Sequence, residues 1–331
     1  MKKFIIFIIK RLLLSILILF LVSILFYGII NALPSGFVEQ KALAMSQKPG
    51  APDYDTILKT LKEKYGISDN KVKGYFSWLK HAVVLDFGDS WTWNKEVTTK
   101  FGEVIWNSFF LSLAAFILQV AIAVPLGIVA ARKQYSKTDY AVTVFSLIGI
   151  SLPGFFFASV LKYVFSIKLG WFDLFGAVGR NHNQLGFWGQ IGDSIMHYIL
   201  PVVTLTVIGM GSLMRYTRTN MLEVMNSDYI RTARAKGLSE NTVINKHAFR
   251  NTLVPLVTIL GGSLPGLFGG AMITETIFQI PGIGYTSYQS MIQGDIPFSM
   301  FYLLFSAVLI LVSTLITDIL YAVVDPRVRV N

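Results

Sequence analysis

Six stretches of the sequence lack aspartate, glutamate, lysine and arginine, and each is long enough to cross a lipid bilayer as a helix. They are residues 12–30, 104–131, 140–161, 194–214, 251–274 and 296–317. About 20 apolar residues span the hydrocarbon core in one helix, and in lipid only helices and closed barrels satisfy their own backbone hydrogen bonds. The sequence therefore predicts an all-α, polytopic membrane protein with six transmembrane helices.

The distribution of charge predicts how these helices are oriented. Charged residues make up 15% of the 331 residues, and the net charge is +10. Basic residues collect before the first uncharged stretch and after the second, fourth and sixth, whereas the segments after the third and fifth hold almost none. Because lysine and arginine mark the cytoplasmic side, both termini are predicted to be cytoplasmic. The basic charge is thus a topology signal and not an indication of nucleic-acid binding.

The chain divides into four predicted parts. They are a cytoplasmic end with the first transmembrane helix (1–33), an external segment (34–103), a five-helix core (104–325) and a cytoplasmic tail (326–331). The first uncharged stretch is longer than the 7–15 residues of a signal-peptide core, so it is interpreted as a retained helix. The sequence has no cysteine, which excludes disulfides and thiol catalysis.

The external segment contains one clear helix signal and one ambiguous aromatic stretch. Residues 56–67 carry apolar side chains at helical spacing before Gly66, which predicts an amphipathic helix that stops at the glycine. The aromatic stretch 75–97 follows and includes Trp78, Trp91 and Trp93. These tryptophans form either a belt at the membrane interface or the core of a small folded segment, and the sequence leaves both interpretations open.

The longest predicted cytoplasmic connection, residues 215–250, contains the run DYIRTARAKGL. Asn226, Ser227 or Asp228 is suited to cap a helix start, and Gly237 supplies a permissive position after its end. Ser239 is suited to start a second helix that runs into the fifth span. The pattern predicts two short helices joined at a glycine corner.

Two roles for this corner stay open on physical grounds. A soluble partner that grips a rigid elbow would transmit force to the membrane helices. Alternatively, the first helix rests on anionic headgroups through Arg231, Arg234 and Lys236.

Several predicted spans also contain helix breakers, among them Pro153 with Gly154 and the run GGSLPGLFGG at 261–270. Small residues permit close helix packing, and prolines bend helices. The pattern suits helices that line a path but is also common in ordinary packing.

The sequence offers little for catalysis. We find no G-x-x-x-x-G-K-[ST] loop, which nucleotide binding through a phosphate cradle requires. The four histidines are scattered and form no metal-ligand pattern, so no metal site is predicted. No close pair of carboxylates lies within a span. The chain is therefore not predicted to be an enzyme.

Three stretches together resemble the permease subunits of ABC importers of the dipeptide, oligopeptide and nickel branch. They are DYIRTARAKGLSENTVINKHAFRNTLVPLVT (228–258), ETIFQIPGIGYTSYQSMIQGDIPFSMF (275–301) with DILYAVVDPRVR (318–329), and LKEKYGISDNKVKGYFSWLKHAVVLDFGDSW (61–91). The similarity covers almost the whole chain in the expected order. The chain resembles the first of the two permease subunits, the one with a long external segment.

The resemblance implies the type I ABC importer permease fold, a place in the bacterial plasma (inner) membrane, and a set of partners. The partners are a second permease of similar fold, two cytoplasmic ATPase subunits that carry ATP and magnesium, and an external substrate-binding protein; no cofactor is expected on this chain. The resemblance also implies a coupling helix that docks in a groove of an ATPase subunit. Its residues are Ser227, Asp228, Tyr229, Arg231, Thr232, Ala233, Arg234, Ala235, Lys236 and Gly237.

This loop departs from the general family pattern of Glu-Ala-Ala, three residues, Gly, nine residues and Ile-x-Leu-Pro. Arg231 stands where the glutamate would be, Thr232 and Ala233 stand where the alanines would be, and Gly237 keeps its place. Pro255 falls 18 residues after the glycine, further than the general pattern. The departure leaves the contact of the family's glutamate in doubt but not the elbow.

Four other residues are singled out because charges near spans are costly and often functional. Asp318 is expected to form a structural ion pair with Arg215 or Arg218, with gating as the alternative. Lys162 is expected to extend its ammonium to the interface. Glu275 is interpreted as structural, or else as an outer gate or a contact for the binding protein.

These observations favour a permease subunit that moves di- or oligopeptides from an external binding protein into the cytoplasm by alternating access. A nickel chelate, an opine or a sugar is the alternative cargo. The alternatives from other classes are an ion-coupled carrier that needs no ATPase, and a membrane enzyme.

Overall fold

The computed structural model describes residues 2–32, 36–68 and 70–324, and every regular element in these ranges is helical. The predicted tail 326–331 lies outside the described residues. The helices are α1 Lys2–Ala32, α2 Gly36–Ser46, α3 Tyr54–Lys64, α4 Lys71–Val83, α5 Val97–Arg132, α6 Lys137–Ser151, α7 Gly154–Leu161, α8 Phe187–Met225, α9 Asp228–Ala235, α10 Glu240–Thr242, α11 Phe249–Ser263, α12 Met272–Phe278, α13 Ile283–Ile292 and α14 Ile296–Val324.

Four of the described helices are long and apolar enough to cross a membrane singly, namely α1, α5, α8 and α14. Two bent pairs of helices raise the number of candidate spans to six. One pair is α6 with α7, and the other consists of residues 240–253 and 255–268. The six uncharged stretches of the sequence fall on these helices and pairs. The chain forms two compact units, residues 1–103 with 287–315 and residues 104–286 with 316–331.

In the first unit, α2 and α3 pack around a small apolar core. Its buried residues are Val38, Ala42, Ile57, Leu61 and Tyr65. The carboxylate of Asp53 caps α3 by accepting a hydrogen bond from the backbone N–H of Thr56 at 3.2 Å. The helix ends just before Gly66, whose φ of +64° is a left-handed conformation that glycine adopts without strain. The predicted amphipathic helix with its glycine stop is confirmed.

The tryptophans of the external segment have protein contacts. Trp78 is 3% exposed, and the ring of Trp91 packs edge-on against Tyr65 at a centroid distance of 5.7 Å. The indole N–H of Trp93 donates a hydrogen bond to Ser290 Oγ at 3.0 Å. These contacts favour the interpretation as a folded core over a belt of tryptophans in the membrane interface.

A buried aspartate fixes the end of this external segment. Asp295 is fully buried and accepts hydrogen bonds from Ser90 Oγ and from the backbone N–H groups of Trp91 and Thr92, the latter two at 3.1 Å. The same carboxylate accepts the N–H of Phe298 at 3.3 Å in the first turn of α14. One side chain therefore caps a helix and holds the loop that precedes α5.

In the second unit, the third predicted span is sharply broken. The axes of α6 and α7 differ by 101° across Leu152 and Pro153. Proline disfavours the helical conformation of the residue before it, and Leu152 is extended, with ψ of 120°. Residues 162–168 continue α7 as π-helix. The sequence indicated the break through Pro153 and Gly154.

Glycines allow α8 to lie very close to α6. A Cβ atom on Gly149 would lie 2.9 Å from the carbonyl oxygen of Val207, and one on Gly211 would lie 2.6 Å from that of Ser146. Both distances are shorter than real side chains tolerate, so these two positions require glycine. Small residues in contact are the usual basis of tight helix packing in membranes.

Arg218 of α8 pairs with a carboxylate that the sequence analysis did not single out. Its Nε and Nη2 donate to Asp139 Oδ1 at 2.6 Å and Oδ2 at 2.8 Å. The side chain of Asp139 is 4% exposed and also accepts the N–H of Tyr135 at 2.9 Å. This bidentate pair at the start of α6 uses two of the five N–H donors of the Arg218 guanidinium. The pairing of Asp318 with Arg215 or Arg218 stays a prediction.

Candidate coupling loop

The candidate site is the connection between α8 and α11, and its first helix starts at Ser227. Ser227 has the extended backbone of a helix cap, with φ −74° and ψ 153°. Its hydroxyl donates back to the carbonyl oxygen of Val224 at 2.6 Å and does not cap α9. Asp228, in the first turn, forms an exposed ion pair with Arg231 at 3.3 Å. Of the three candidate start residues, the structure therefore places Ser227 at the cap position.

One face of α9, called the seated face below, packs against the helices that enter and leave the loop. Ile230 is fully buried and Ala233 is 7% exposed. They belong to one apolar cluster with five other buried residues, namely Ala131, Met221, Val243, Ile244 and Ala248. Burial of an isoleucine side chain contributes about 1.5–3 kcal/mol, which is large for a helix of eight residues. The cluster joins α9 to the ends of α5 and α8 and to the π-helical segment 243–248.

The corner after α9 is fixed by one backbone conformation and one ion pair. Gly237 has φ of +76° and no atom within 4 Å of a Cβ placed on it, so the backbone conformation and not crowding calls for glycine. Arg234 donates two hydrogen bonds across the corner to Glu240, at 3.1 and 2.8 Å. These bonds raise the pKa of Arg234 above its already high value, so the pair persists throughout the physiological pH range. The Oγ of Ser239 accepts the N–H of Thr242 at 3.4 Å.

The opposite face of α9, called the exposed face below, is accessible to solvent. Of residues 228–240, all but Ile230 and Ala233 are exposed, among them Asp228, Tyr229, Arg231, Thr232, Ala235, Lys236 and Leu238. Tyr229 exposes 48% of its surface, and Leu238 exposes 41%. The structure confirms the predicted geometry, in which two short helices are joined at a glycine corner. Ala233 lies on the seated face, so it supports the helix and is not part of the exposed face.

The geometry also bears on the alternative in which α9 rests on lipid headgroups. Of the three basic residues in that hypothesis, Arg231 is paired with Asp228 and Arg234 with Glu240. Headgroup binding relies on basic side chains that attract anionic lipid. Two internal carboxylates weaken this attraction, and the geometry favours the elbow.

The remaining predicted site residues lie away from the loop surface. Pro255 lies inside α11, at the bend of 47° between the two halves of the fifth candidate span. Proline removes one backbone hydrogen bond and distorts a helix, which explains the bend; a role of Pro255 as a structural hinge stays a prediction. Arg215 lines a cavity of about 360 Å³ between α6 and α8 together with Arg218, Thr143 and Ser146.

Glu275 is fully buried in the second unit. Its Oε1 accepts hydrogen bonds from the N–H of Ala271 at 2.9 Å and from Ser108 Oγ at 2.7 Å, and its Oε2 accepts the N–H of Tyr285 at 2.9 Å. Ser108 Oγ in turn accepts the N–H of Ile283 at 2.7 Å. Glu275 thus joins α5, α12 and α13, which supports its structural interpretation. With no exposed surface, its carboxylate is not placed to contact a binding protein in this conformation.

Lys162 is also bound within the protein. Its ammonium donates to the carbonyl oxygen of Ile277 at 2.6 Å and lies 3.8 Å from the centroid of the Phe175 ring. The expectation that it extends to the interface is therefore wrong, because an acceptor and an aromatic face are available inside the fold.

Sequence reasoning missed Asp139, Ser108 and Asp295. Of these three residues, only Asp139 could have been found from the sequence, because Ser136 and Asp139 have the spacing of a capping box at a helix start. In the structure, the N–H of Asp139 donates to Ser136 Oγ at 3.3 Å.

Residues 123–330 match the family model described as "Binding-protein-dependent transport system inner membrane component". The oligopeptide transport system permease protein AppB of Bacillus subtilis (strain 168) is 41% identical over 98% of this chain and 99% of its own length. The dipeptide transport system permease protein DppB of Alkalihalophilus pseudofirmus is 33% identical over 97% of this chain and 98% of its own.

The fold is similar to that of a solved transporter. A chain of the MetNI methionine ABC transporter, in inward-facing conformations, matches with a TM-score of 0.52 at 16% identity. The match covers 69% of this chain and 97% of that chain. At this identity the similarity concerns the fold, which is that of an ABC importer permease.

Proposed function

This chain belongs to the family of inner membrane components of binding-protein-dependent transport systems, and from that premise we propose that it carries peptides and is driven through the loop 227–250. It is a multi-pass inner membrane protein and the permease component of an ABC transporter, not a catalytic subunit. Transport in this family depends on a binding protein and on an ATPase. The proposal adds the cargo, the partner stoichiometry and the residues that receive the force.

The observation that carries the proposal is the two-faced geometry of α9. One face is seated on the membrane helices through Ile230 and Ala233, while the other exposes Tyr229, Arg231 and Thr232. A force applied to the exposed face is transmitted through the apolar cluster to α5, α8 and α11. The exposed face of α9 docks in a groove of an ATPase subunit.

The working complex contains this chain, a second permease of similar fold, two ATPase subunits and an external binding protein. ATP binding draws the two ATPases together, and both coupling loops move with them. The permease pair then changes from an inward-open to an outward-open state and receives cargo from the binding protein. The inward-open and outward-open states have comparable free energies, and nucleotide shifts the equilibrium because it binds more tightly to one of them.

Peptide cargo is supported by the relatives. Proteins 33–41% identical over nearly the whole chain are described as oligopeptide and dipeptide transport permeases. A nickel chelate, an opine or a sugar remains the alternative cargo. The direct test is uptake of a labelled peptide-length series in cells that lack this chain. Peptide uptake that is lost and then restored by the intact chain supports the proposal, and unchanged uptake at every length contradicts it.

The ion-coupled alternative would need a titratable group that changes partners within a span. Its candidates are Lys162, Asp318 and Glu275, and two of them, Glu275 and Lys162, are held by hydrogen bonds to backbone groups. Their geometry fits fixed structural roles. ATP-independent uptake by the purified chain in vesicles would favour that alternative over ours.

The coupling role is tested by co-purification of the ATPase with alanine variants. Tyr229→Ala and Arg231→Ala remove side chains from the exposed face without touching the seated face. We expect both to reduce the ATPase that co-purifies with the tagged chain. The matched control is Lys246→Ala, an exposed residue of the same connection outside α9. Equal recovery of ATPase with all three variants would contradict the docking surface.

A further inference from the structure

The external helix α4 presents an apolar stripe that nothing in the described part of the chain covers. Val72, Phe76 and Val83 are 68%, 58% and 73% exposed. Their spacing of four and seven residues places them on one face of the helix. Val84 and Leu85 extend the stripe at its end, and both are more than half exposed. Apolar surface of this extent marks an interaction site.

The face of α4 next to this stripe is packed against α1. Ser23 Oγ and Tyr75 Oη are hydrogen-bonded at 2.8 Å, and the rings of Phe20 and Tyr75 meet edge-on at 6.0 Å. Tyr27 donates its hydroxyl to the carbonyl oxygen of Gly66 at 2.7 Å. Gly66 and Gly74 approach each other so closely that neither has room for a Cβ atom. The depth of α4 along α1 is therefore fixed by several contacts.

These contacts hold Tyr75 of α4 against the outer part of the apolar stretch of α1. The apolar part of α1 runs from Ile6 to Ile29. At 1.5 Å per residue, Tyr27 lies within about 3–6 Å of the outer end of this part and Ser23 about 9–12 Å from it. Interfacial amphipathic helices are buried by about 5–10 Å in the headgroup and acyl boundary. With Ile6–Ile29 taken as the membrane-crossing part of α1, the contact between Ser23 and Tyr75 lies in that range.

The charges of α4 match the same environment. Lys73 and Lys80 are exposed and lie seven residues apart, so they share a face that borders the apolar stripe. Lysines beside an apolar face are typical of helices that lie in an interface, where the ammonium groups reach the phosphates. In α1, Leu21 and Leu25 are likewise exposed, by 56% and 59%.

We propose that α4 is embedded in the outer leaflet of the membrane, with Val72, Phe76 and Val83 in contact with phospholipid acyl chains. Lys73 and Lys80 lie at the level of the phosphates. The external segment is then anchored by lipid as well as by α1. This inference depends on the membrane depth of α1 and not on cargo or on the coupling loop.

The absence of cysteine from the sequence makes a direct test possible. Single-cysteine variants Val72→Cys, Phe76→Cys and Val83→Cys are labelled with a nitroxide in the transporter assembled with its partners and reconstituted in phosphatidylglycerol–phosphatidylethanolamine vesicles. Power-saturation measurements give the collision rate with oxygen, which concentrates in lipid, and with a water-soluble nickel chelate. The matched controls are Lys73→Cys and Lys80→Cys on the adjacent face of the same helix.

We expect the ratio of oxygen to nickel-chelate collisions to be severalfold higher at positions 72, 76 and 83 than at 73 and 80. High access of the nickel chelate at 72, 76 and 83 would overturn the proposal, because the stripe would then face water. Low access of both reagents at these positions would also overturn it, because a protein partner and not lipid would cover the stripe. Retained ATPase co-purification shows that each labelled chain is assembled.

Discussion

Replacement of Ile230 by alanine tests whether α9 must be firmly seated to transmit force. The side chain is fully buried in the cluster that includes Met221, Val243 and Ile244. Isoleucine-to-alanine changes in well-packed sites cost about 2–5 kcal/mol. Because α9 has only eight residues and one other buried side chain, this loss is comparable to everything that holds the helix in place.

The expected consequence is local detachment of α9 with the rest of the fold intact. A loss of about 2 kcal/mol raises the open fraction of a local equilibrium by a factor of about 30. Hydrogen exchange of the amides in 228–235 is expected to accelerate by at least this factor, with exchange in α5 and α8 unchanged. Peptide uptake in vesicles is expected to fall sharply, because ATP-driven movement no longer reaches the membrane helices.

The neighbouring residue provides the matched control for this experiment. Tyr229 lies on the exposed face, so Tyr229→Ala is expected to leave hydrogen exchange in 228–235 unchanged while it reduces the ATPase that co-purifies. Accelerated exchange in Ile230→Ala with undiminished uptake would refute the idea that the seat of α9 transmits force. Unchanged exchange would refute the packing argument itself.

Four further substitutions test the polar contacts that hold the fold together. Asp139→Asn leaves the Arg218 guanidinium without its charged partner, and we expect a stability loss of about 1–3 kcal/mol, read as a lower melting temperature in detergent. Glu275→Gln directs an amide NH₂ toward backbone N–H donors, and we expect it to lower the stability by about 1–3 kcal/mol, measured in the same way. Ser108→Ala is expected to lower the stability by less. Asp295→Ala removes the acceptor for Trp91 and for α14, and limited proteolysis within 84–96 is expected to accelerate; unchanged cleavage would contradict this role.

Features determined by neighbouring residues could be predicted from the sequence. The elbow is one: Ser227 has the extended backbone of a helix start, Gly237 the left-handed conformation of a helix end, and Ser239 caps the next helix through its side chain. The stop at Gly66 and the break at Pro153 are of the same kind. The candidate spans, four helices and two bent pairs, follow from the length of the uncharged stretches, which is again a local property.

Contacts between distant residues could not be predicted in this way. Ser108 and Glu275 are 167 residues apart, and Asp139 and Arg218 are 79 apart. Which charge meets which depends on the rotation of each helix about its axis, and a uniformly apolar span carries no signal for that rotation. The sequence therefore named Arg218 and Glu275 but did not single out Asp139 as a partner of Arg218 and left the role of Glu275 open. Ala233 was likewise assigned to the coupling helix without an indication of which face it occupies.

The most direct test of the account is cross-linking between this chain and the ATPase. Tyr229→Cys and Thr232→Cys each place a unique thiol on the exposed face of α9, and Asn245→Cys places one on an exposed position of the same connection outside it. With a short thiol-to-amine reagent, we predict covalent linkage to an ATPase subunit at 229 and 232, changing with nucleotide, and little at 245. Linkage at 245 equal to that at 229 and 232, or no linkage at either α9 position in an assembled and active transporter, would contradict the coupling role of this loop.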